Sequence, residues 1–279
     1  MSRQERLEIF EDTRKTYETH PGLRSAAAYS RKHQILTTED MSVTDHSGDI
    51  IYLNEARIIV SPRRSFEAAM RYRDQKVCVL NFASASNPGG GVTKGASAQE
   101  ECLCRCSTLF AALDTPEMWD GFYLPHRRTG DPLHNDDCIY TPDVVIFKSD
   151  TELPELLPEK DWCTVDIITC AAPNLRPRPS NAMNPGDGEK QTQLSPKQLQ
   201  ELHEKRMRRV MDLAVENGAE VLILGAFGCG AFQNPPRIVA NALKTVVNDY
   251  RFCFKTVEFA VYCPPINDKN YKVFLDVFC

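Results

Sequence analysis

The chain has 279 residues, of which 42% are hydrophobic and 25% are charged, and its formal net charge is −5. This composition is ordinary for a globular protein with a sizeable core. The negative charge excludes broad electrostatic binding to nucleic acid, which needs a basic face. No apolar run is long enough to span a membrane, so we expect no membrane partner.

The eleven cysteines and the N-terminal residues bear on the cellular compartment. The chain starts MSRQERLEIF, which is charged and helical in pattern and does not resemble a signal peptide. We therefore expect an intracellular, cytoplasmic protein with reduced thiols, and a nuclear location stays open for a eukaryote. Cys102, Cys104 and Cys106 do not share one helix face and lack partners at zinc-finger spacing, so no metal site is predicted.

A helical extension is predicted at the N-terminus, over residues 1–45, packed on a larger unit of residues 46–279. Apolar residues at three-to-four spacing predict a helix over residues 2–20, which Pro21 and Gly22 end. A second helix is predicted directly after this break.

The next elements lead to the stretch that matters most. Two short apolar runs, residues 50–53 and 58–60, predict strands or a hairpin, and residues 65–73 predict a short helix. Residues 77–82 are apolar and partly β-branched, which is typical of a buried strand. A helix is predicted over residues 102–113.

Between this strand and this helix lies a long glycine-rich loop, which reads NPGGGVTKGASAQEE over residues 87–101. Gly89, Gly90 and Gly91 allow positive φ and bring backbone N–H groups close to a ligand without a Cβ between them. Such a backbone binds anions, and the N-terminus of the following helix adds partial positive charge. The pattern predicts a site for a phosphate group.

Ser97 and Glu100 have the spacing of a capping box, which predicts that the helix starts at Ser97. Glu100 and Glu101 then fall in the first turn, beside the glycine loop. Acidic residues are common there because of the helix dipole, so their presence alone does not identify catalysis. Two carboxylates beside a phosphate-binding loop nevertheless favour chemistry on a sugar phosphate.

The second half of the chain alternates strands and helices. Strands are predicted over residues 144–147, 165–172, 220–224 and 254–263, and helices over residues 195–217, 237–249 and 270–278, with a loop over residues 176–190. This alternation predicts an α/β fold with a largely parallel or mixed sheet covered by helices on both faces. A second glycine-rich loop, GAFGCGAFQNPP, follows the strand at residues 220–224. Because ligands bind at the carboxyl ends of such strands, both loops are expected to face one crevice.

The first loop and the residues before it resemble the microbial-type poly(ADP-ribose) glycohydrolases. The resemblance rests on three glycines, seven residues and then Gln-Glu-Glu, together with the stretch NFASASNPGGG. The catalytic domain of that family is a macrodomain, so the resemblance implies a macrodomain-like three-layer fold. It also implies a glycosidase in which Glu101 is the acid that protonates the leaving oxygen and then the base toward water. Glu100 is implied to hold ribose hydroxyls. The substrate-binding residues implied or inferred with these two are Asn87, Gly89, Gly90, Gly91, Gln99, Gly228, Cys229, Gly230, Ala231 and Phe232.

The resemblance leaves three functions open. The first is hydrolysis of the ribose–ribose bonds of poly(ADP-ribose) from the chain end, with release of ADP-ribose. The second is hydrolysis of mono-ADP-ribosylated proteins, and the third is ADP-ribose binding without catalysis. The adjacent glutamates argue against the third, because binding needs only the glycine loops. We expect no metal, no cofactor and a monomer.

Catalysis by Glu101 requires a raised pKa, and two effects oppose each other at this position. A helix N-terminus lowers the pKa of a carboxyl group, whereas burial and a neighbouring carboxylate raise it. We expect burial and the neighbouring charge to dominate when the anionic substrate occupies the cleft.

Overall fold

The computed structural model describes residues 1–182, 185–264 and 267–279. Over these residues it has ten α-helices, shorter 3₁₀ and π turns, and seven strands. The helices are α1 (Arg3–Thr19), α2 (Pro21–His33), α3 (Ser65–Ala69), α4 (Gln99–Cys106), α5 (Leu109–Leu113), α6 (Pro116–Met118), α7 (Leu124–Thr129), α8 (Pro196–Glu216), α9 (Pro236–Asp249) and α10 (Lys269–Phe278). The strands are β1 (Ile35–Thr37), β2 (Arg57–Ser61), β3 (Val77–Ala83), β4 (Cys138–Ile146), β5 (Cys163–Ala171), β6 (Val221–Leu224) and β7 (Thr256–Ala260).

All seven strands form one mixed sheet in the order β1-β4-β5-β3-β6-β7-β2. Strand β3 lies between β5 and β6 and is parallel to both, whereas β4 is antiparallel to β1 and β5. The mixed sheet predicted from the alternating pattern is therefore confirmed. Parallel neighbours place the loops that follow β3 and β6 at the same edge.

Helices cover both faces of this sheet, as predicted. Along β3 successive side chains point to opposite faces, so Cys78 and Leu80 join the core beneath α8 and α9. Val77 and Val79 join the core on the other face, together with Leu103 of α4. The result is a three-layer α/β arrangement. No helix in the described residues is long and apolar enough to cross a membrane.

The N-terminal helices pack directly on the elements around the glycine loop. Phe10 of α1 contacts Phe110 of α5 edge-to-face, with ring centroids 4.9 Å apart. The hydroxyl of Thr13 donates to the carbonyl of Arg105 at 2.6 Å. Two features differ from the prediction: Pro21 begins α2 instead of merely ending α1, and the segment adds strand β1 to the sheet.

Three local predictions are wrong for a shared reason, namely long-range contacts. The predicted helix over residues 102–113 breaks at Ser107, which pairs with Ile146 in a β-bridge. Residues 50–53 form no strand, and Ile50 and Leu53 are exposed. No hairpin forms there because β2 pairs in parallel with β7, the last strand of the chain. Local apolar patterns do not carry this information.

The longest helix, α8, begins as predicted. Ser195 accepts the backbone N–H of Gln198 at 3.3 Å, and the Gln198 side chain accepts the backbone N–H of Ser195 at 2.9 Å. Pro196 occupies the first helical position, where its missing N–H costs nothing.

Candidate active site

Both glycine-rich loops line one cavity at the carboxyl edge of the sheet. The cavity has a volume of about 640 Å³, which lies in the range of small-molecule sites. Its walls include Gly90, Gly91 and both glutamates from the first loop and helix α4, and Gly228, Gly230, Ala231 and Phe232 from the second loop. The predicted convergence of the two loops is therefore present in the structure.

The first loop needs glycine at Gly90 for two physical reasons. Its φ is +59°, a left-handed conformation that side chains disfavour. A Cβ at this position would also lie 2.7 Å from Oε1 of Glu101 and 2.9 Å from Oε2 of Glu100. Gly90 thus allows both carboxylates to approach the loop backbone.

The two carboxylate oxygens of Glu101 differ in their hydrogen bonds to the described residues. Oε1 accepts the backbone N–H of Gly91 at 2.8 Å. Oε2 is buried and forms no hydrogen bond to the described residues, although Glu101 lines the cavity. Burial raises the pKa of Glu101, and the Gly91 N–H offsets part of that rise. The carboxyl is therefore oriented by one oxygen and can carry a proton on the other.

Glu100 is held more completely than Glu101. Its Oε2 accepts the backbone N–H of Ser84 at 2.7 Å, and its Oε1 accepts from Asn81 at 3.2 Å. The side chain is buried, and burial together with the charge of Glu101 raises the pKa of Glu100 well above its ordinary value. The two neighbouring carboxyls therefore have different hydrogen-bonding environments.

The predicted capping box at Ser97 is wrong. Helix α4 begins at Gln99, its N-cap residue is Ala98, and no side chain caps it. Glu100 does not reach back to Ser97, because Ser84 and Asn81 hold it on the strand side.

The side chain of Gln99 lines the cavity but serves the framework. Its oxygen accepts the backbone N–H of Phe82 at 2.9 Å, and its amide donates to the carbonyl of Leu80 at 2.9 Å. The amide also donates to Ser65 at 3.0 Å. These bonds fix the start of α4 against β3 and thereby place the two glutamates that follow.

In the second loop, Gly228 and Gly230 differ in what surrounds them. Gly228 has a φ of +73°, and a Cβ there would lie 2.6 Å from both Ala172 and the amide of Asn234. At Gly230 a Cβ would meet no atom within 4 Å, so its free side faces open space. Gly228 thus shapes the turn, whereas Gly230 leaves room beside the backbone for a ligand.

Three of the predicted binding residues, Asn87, Gly89 and Cys229, are not among the residues that line the cavity. Asn87 shapes the loop, because its carbonyl accepts the N–H of Gly90 at 3.0 Å and its amide oxygen accepts from Arg127. Burial raises the pKa of Cys229 to about 12, so its thiol is not poised as a nucleophile.

Sequence reasoning missed several polar or aromatic residues of the cavity wall, among them Arg64, Asp150, Arg176 and Tyr262. The Arg64 guanidinium lies 4.0 Å from the Tyr262 ring centroid and pairs with Glu152 at 2.5 Å. Oδ1 of Asp150 is buried and has no partner among the described residues. These residues come from four separate segments of the chain, so no local pattern joins them.

Within the described residues no group of three or more His, Cys, Asp or Glu side chains is arranged to hold a metal ion. The cysteines singled out in the sequence are free thiols that pack in and around α4.

Comparison with known proteins relates this geometry to characterised structures. Residues 4–149 match the family model described as microbial-type PARG, catalytic domain, where PARG denotes poly(ADP-ribose) glycohydrolase. The poly(ADP-ribose) glycohydrolase of Thermomonospora curvata is 28% identical, with 98% of this chain and 99% of that chain covered and a TM-score of 0.81. The same enzyme bound to the inhibitor ADP-HPD is similar with a TM-score of 0.79 over the same shares, also at 28% identity.

A second bacterial structure is similar over most of both chains. The poly(ADP-ribose) glycohydrolase of Deinococcus radiodurans, in complex with ADP-ribose, is 31% identical, with 91% of this chain and 98% of that chain covered and a TM-score of 0.74. No curated protein matches the chain significantly. The solved structures confirm the macrodomain-like fold predicted from the sequence.

Proposed function

This chain belongs to the microbial-type poly(ADP-ribose) glycohydrolase family, and from that membership we propose that it hydrolyses the ribose–ribose O-glycosidic bonds of poly(ADP-ribose) and releases ADP-ribose. It is a glycosidase. The observation that carries the proposal is the state of Glu101, whose Oε2 has no partner among the described residues and which lines a cavity walled by two glycine-rich loops.

The chemistry starts with proton transfer from Glu101. Cleavage of a glycosidic bond passes through an oxocarbenium-like state and needs an acid that protonates the leaving oxygen. The Gly91 N–H holds Oε1, so Oε2 is the atom that presents the proton. Because burial raises the pKa of Glu101, the acid form is retained at a higher pH than for an exposed glutamate. After the leaving group departs, the same oxygen accepts a proton from the attacking water.

Glu100 has a separate role in this proposal. Both of its oxygens already accept hydrogen bonds, from Ser84 and Asn81. These bonds fix the carboxylate, and therefore the direction of the lone pairs that are still free to accept from a ligand. We assign Glu100 to holding the ribose hydroxyls, so that the bond to be broken lies against Glu101. Because both oxygens of Glu100 already accept hydrogen bonds, Glu100 is less available than Glu101 for transferring a proton to the substrate.

The anionic part of the substrate is assigned to the glycine loops. Helix α4 begins directly after the first loop, and helix α9 follows the second, so both loops lead toward the positive end of a helix dipole. In the second loop, the open side of Gly230 leaves its backbone accessible to a diphosphate.

We also propose that the enzyme acts from the end of the polymer as an intracellular monomer without a cofactor. A cavity of about 640 Å³ accommodates a single small ligand, which favours one ADP-ribose unit at a time. The expected initial product is ADP-ribose itself, and early release of long oligomers would contradict attack from the end.

The decisive comparison uses polymer and mono-ADP-ribosylated proteins carrying arginine, serine or glutamate linkages. We expect release of ADP-ribose from the polymer in excess chelator, and little release from the mono-modified proteins. Cleavage confined to a mono-modified protein would favour the alternative hydrolase. Tight ADP-ribose binding with no cleavage of any substrate would favour a binding module.

A further inference from the structure

The loop between β5 and α8 places an arginine in the cavity wall. The Arg176 guanidinium donates through Nε to the Asn174 side-chain oxygen at 3.0 Å and through a terminal nitrogen to the Pro179 carbonyl. Both acceptors are neutral. Over the described residues Arg176 forms no ion pair, and burial lowers its pKa while the charge of Asp187 partly offsets that effect.

Arg64 is the other arginine in the cavity wall, and its charge is already balanced. Glu152 lies 2.5 Å from the Arg64 guanidinium, and the Tyr262 ring stacks beneath it. A guanidinium remains charged in proteins, and a partly buried cation is stabilised by an anion. Arg176 is therefore the cavity cation that lacks an anionic partner among the described residues.

Arg176 lies beside the second glycine-rich loop. Its guanidinium carbon is 5.5 Å from the Phe232 ring centroid. The preceding residue, Leu175, donates its backbone N–H to the carbonyl of Phe232 at 3.0 Å, which ties the two segments together. A guanidinium matches phosphate oxygens with two parallel donors. Building on the proposed function, we propose that Arg176 binds the diphosphate of the substrate and that Asp187 positions it.

The connection between Arg176 and Asp187 runs through one amide group. Asn174 Nδ2 donates to Oδ2 of Asp187 at 2.8 Å. A carboxylate only accepts, so this bond fixes the amide with its NH₂ toward Asp187 and its oxygen toward Arg176. With the amide reversed, its NH₂ would face the guanidinium, and both groups would be donors.

Asp187 is itself held rigidly from several sides. Its Oδ1 accepts from the hydroxyl of Ser86 at 3.0 Å, and the Nε2 atom of His134 lies 3.4 Å from Oδ2. The two glycines beside it adopt positive φ, and a Cβ at Gly188 would lie 2.1 Å from the Gly130 carbonyl. Because Ser86 belongs to the approach to the first loop, Asp187 ties the segment that carries Arg176 to that approach.

The binding role is tested by removing the charge of Arg176 while keeping much of its length. Arg176→Met is expected to weaken ADP-ribose binding about 10- to 100-fold, as for loss of hydrogen bonds to a charged group. Adenosine lacks the diphosphate, so its affinity is expected to change less than about 3-fold, which is the size of effect usual for a substitution away from the bound group. Arg178→Met is the matched control, since Arg178 is exposed on the same loop.

Two results would overturn the binding role. One is parental affinity for ADP-ribose in Arg176→Met, and the other is an equal loss in Arg178→Met. Arg176→Lys keeps the charge without the planar pair of donors, so we expect intermediate affinity. If Arg176→Met does not fold, the test uses Arg176→Lys. Parental affinity of Arg176→Lys for ADP-ribose, with the parental ratio of ADP-ribose to adenosine affinity, would then overturn the binding role.

The positioning role is tested by replacing the carboxylate that accepts from the Asn174 amide. Asp187→Asn is expected to raise KM for polymer more than it lowers kcat, because it removes the charged acceptor of the Asn174 NH₂ and leaves the Pro179 carbonyl to hold that side of the amide. Glu189→Gln, an exposed carboxylate two residues away, serves as the control and should match the parent.

The two levels of the proposal separate in the same experiment. If the parent protein neither binds ADP-ribose nor releases it from polymer, the proposed function fails. If the parent does both and Asp187→Asn keeps the parental KM for polymer, the positioning role of Asp187 is overturned. A higher KM in Asp187→Asn, together with weak ADP-ribose binding by Arg176→Met, is the result that we expect.

Discussion

Gly90→Ala is the substitution whose consequence follows most directly from the geometry. The new Cβ would lie 2.7 Å from Oε1 of Glu101 and 2.9 Å from Oε2 of Glu100. Both oxygens are held by backbone N–H groups, of Gly91 and Ser84 respectively. Because comfortable contacts between heavy atoms lie near 3.5–4.0 Å, the carboxylates must move by roughly 1 Å and lose those hydrogen bonds.

The expected cost has a stability part and a catalytic part. Placing a side chain at a φ of +59° costs about 1–2 kcal/mol of folding free energy. A displacement of roughly 1 Å at a reacting group can cost about 10²-fold in rate, so we expect the single-turnover rate on poly(ADP-ribose) to fall by about that factor.

Gly218→Ala separates the two parts. Gly218 has a similar φ of +71°, yet a Cβ there would meet nothing within 4 Å. Both variants should lose stability in thermal unfolding because of their positive φ, Gly90→Ala by more than Gly218→Ala because it also breaks the two hydrogen bonds, and only Gly90→Ala should lose activity. A Gly90→Ala protein with the parental cleavage rate would refute the placement of the glutamates against this loop.

The remaining predictions concern the second loop, both glutamates and one buried aspartate. Gly230→Val should fold like the parent, since a Cβ at this position meets no atom within 4 Å, but calorimetry should show weaker ADP-ribose binding; unchanged affinity would mean that this loop does not hold the diphosphate. Glu100→Gln should lower both affinity and single-turnover rate, because an amide places a donor against one of the two donors that now hold the carboxylate; loss of rate alone would contradict a role in binding ribose. The pH profile of kcat/KM should fall as pH rises through the raised pKa of Glu101, because the acid form is lost; a profile without that limb would contradict general acid catalysis. Burial raises the pKa of Asp150 from 3.8 to about 6, so this group lowers stability as pH rises across that interval. In urea unfolding, Asp150→Asn should therefore be more stable than the parent by up to about 3 kcal/mol at pH 8 and similar to it at pH 4. An equal difference in stability at pH 8 and pH 4 would show that the raised pKa of Asp150 is not the cause.

The sequence predicts the sheet-edge site because the signals that define it are local. Apolar runs followed by glycine-rich segments identify β3 and β6 and the loops after them, and strand alternation places those loops at one edge. The same reasoning brings Glu101 to the first turn of a helix. It does not predict which oxygen of Glu101 is held, because that depends on the loop folding back so that Gly91 donates to it.

The residues that sequence reasoning missed depend on contacts between distant segments. Asp187 reaches Ser86 across 101 positions of sequence. Its one local signal is the pair of flanking glycines, which indicates a tight turn but not what the turn contacts. Likewise the break at Ser107 results from pairing with a strand that comes much later in the chain. Tertiary contacts override local preference at these positions.

The most direct test of the account is single-turnover cleavage of poly(ADP-ribose) by Glu101→Gln, alongside ADP-ribose titration of the same protein. Glutamine can still accept the Gly91 N–H through its oxygen, so the loop should keep its shape. It cannot supply a proton, and general acid–base catalysis typically contributes about 10²–10⁴-fold. We expect the rate to fall by at least that range while ADP-ribose affinity changes little. Cleavage at the parental rate would contradict the assignment of Glu101 as the acid.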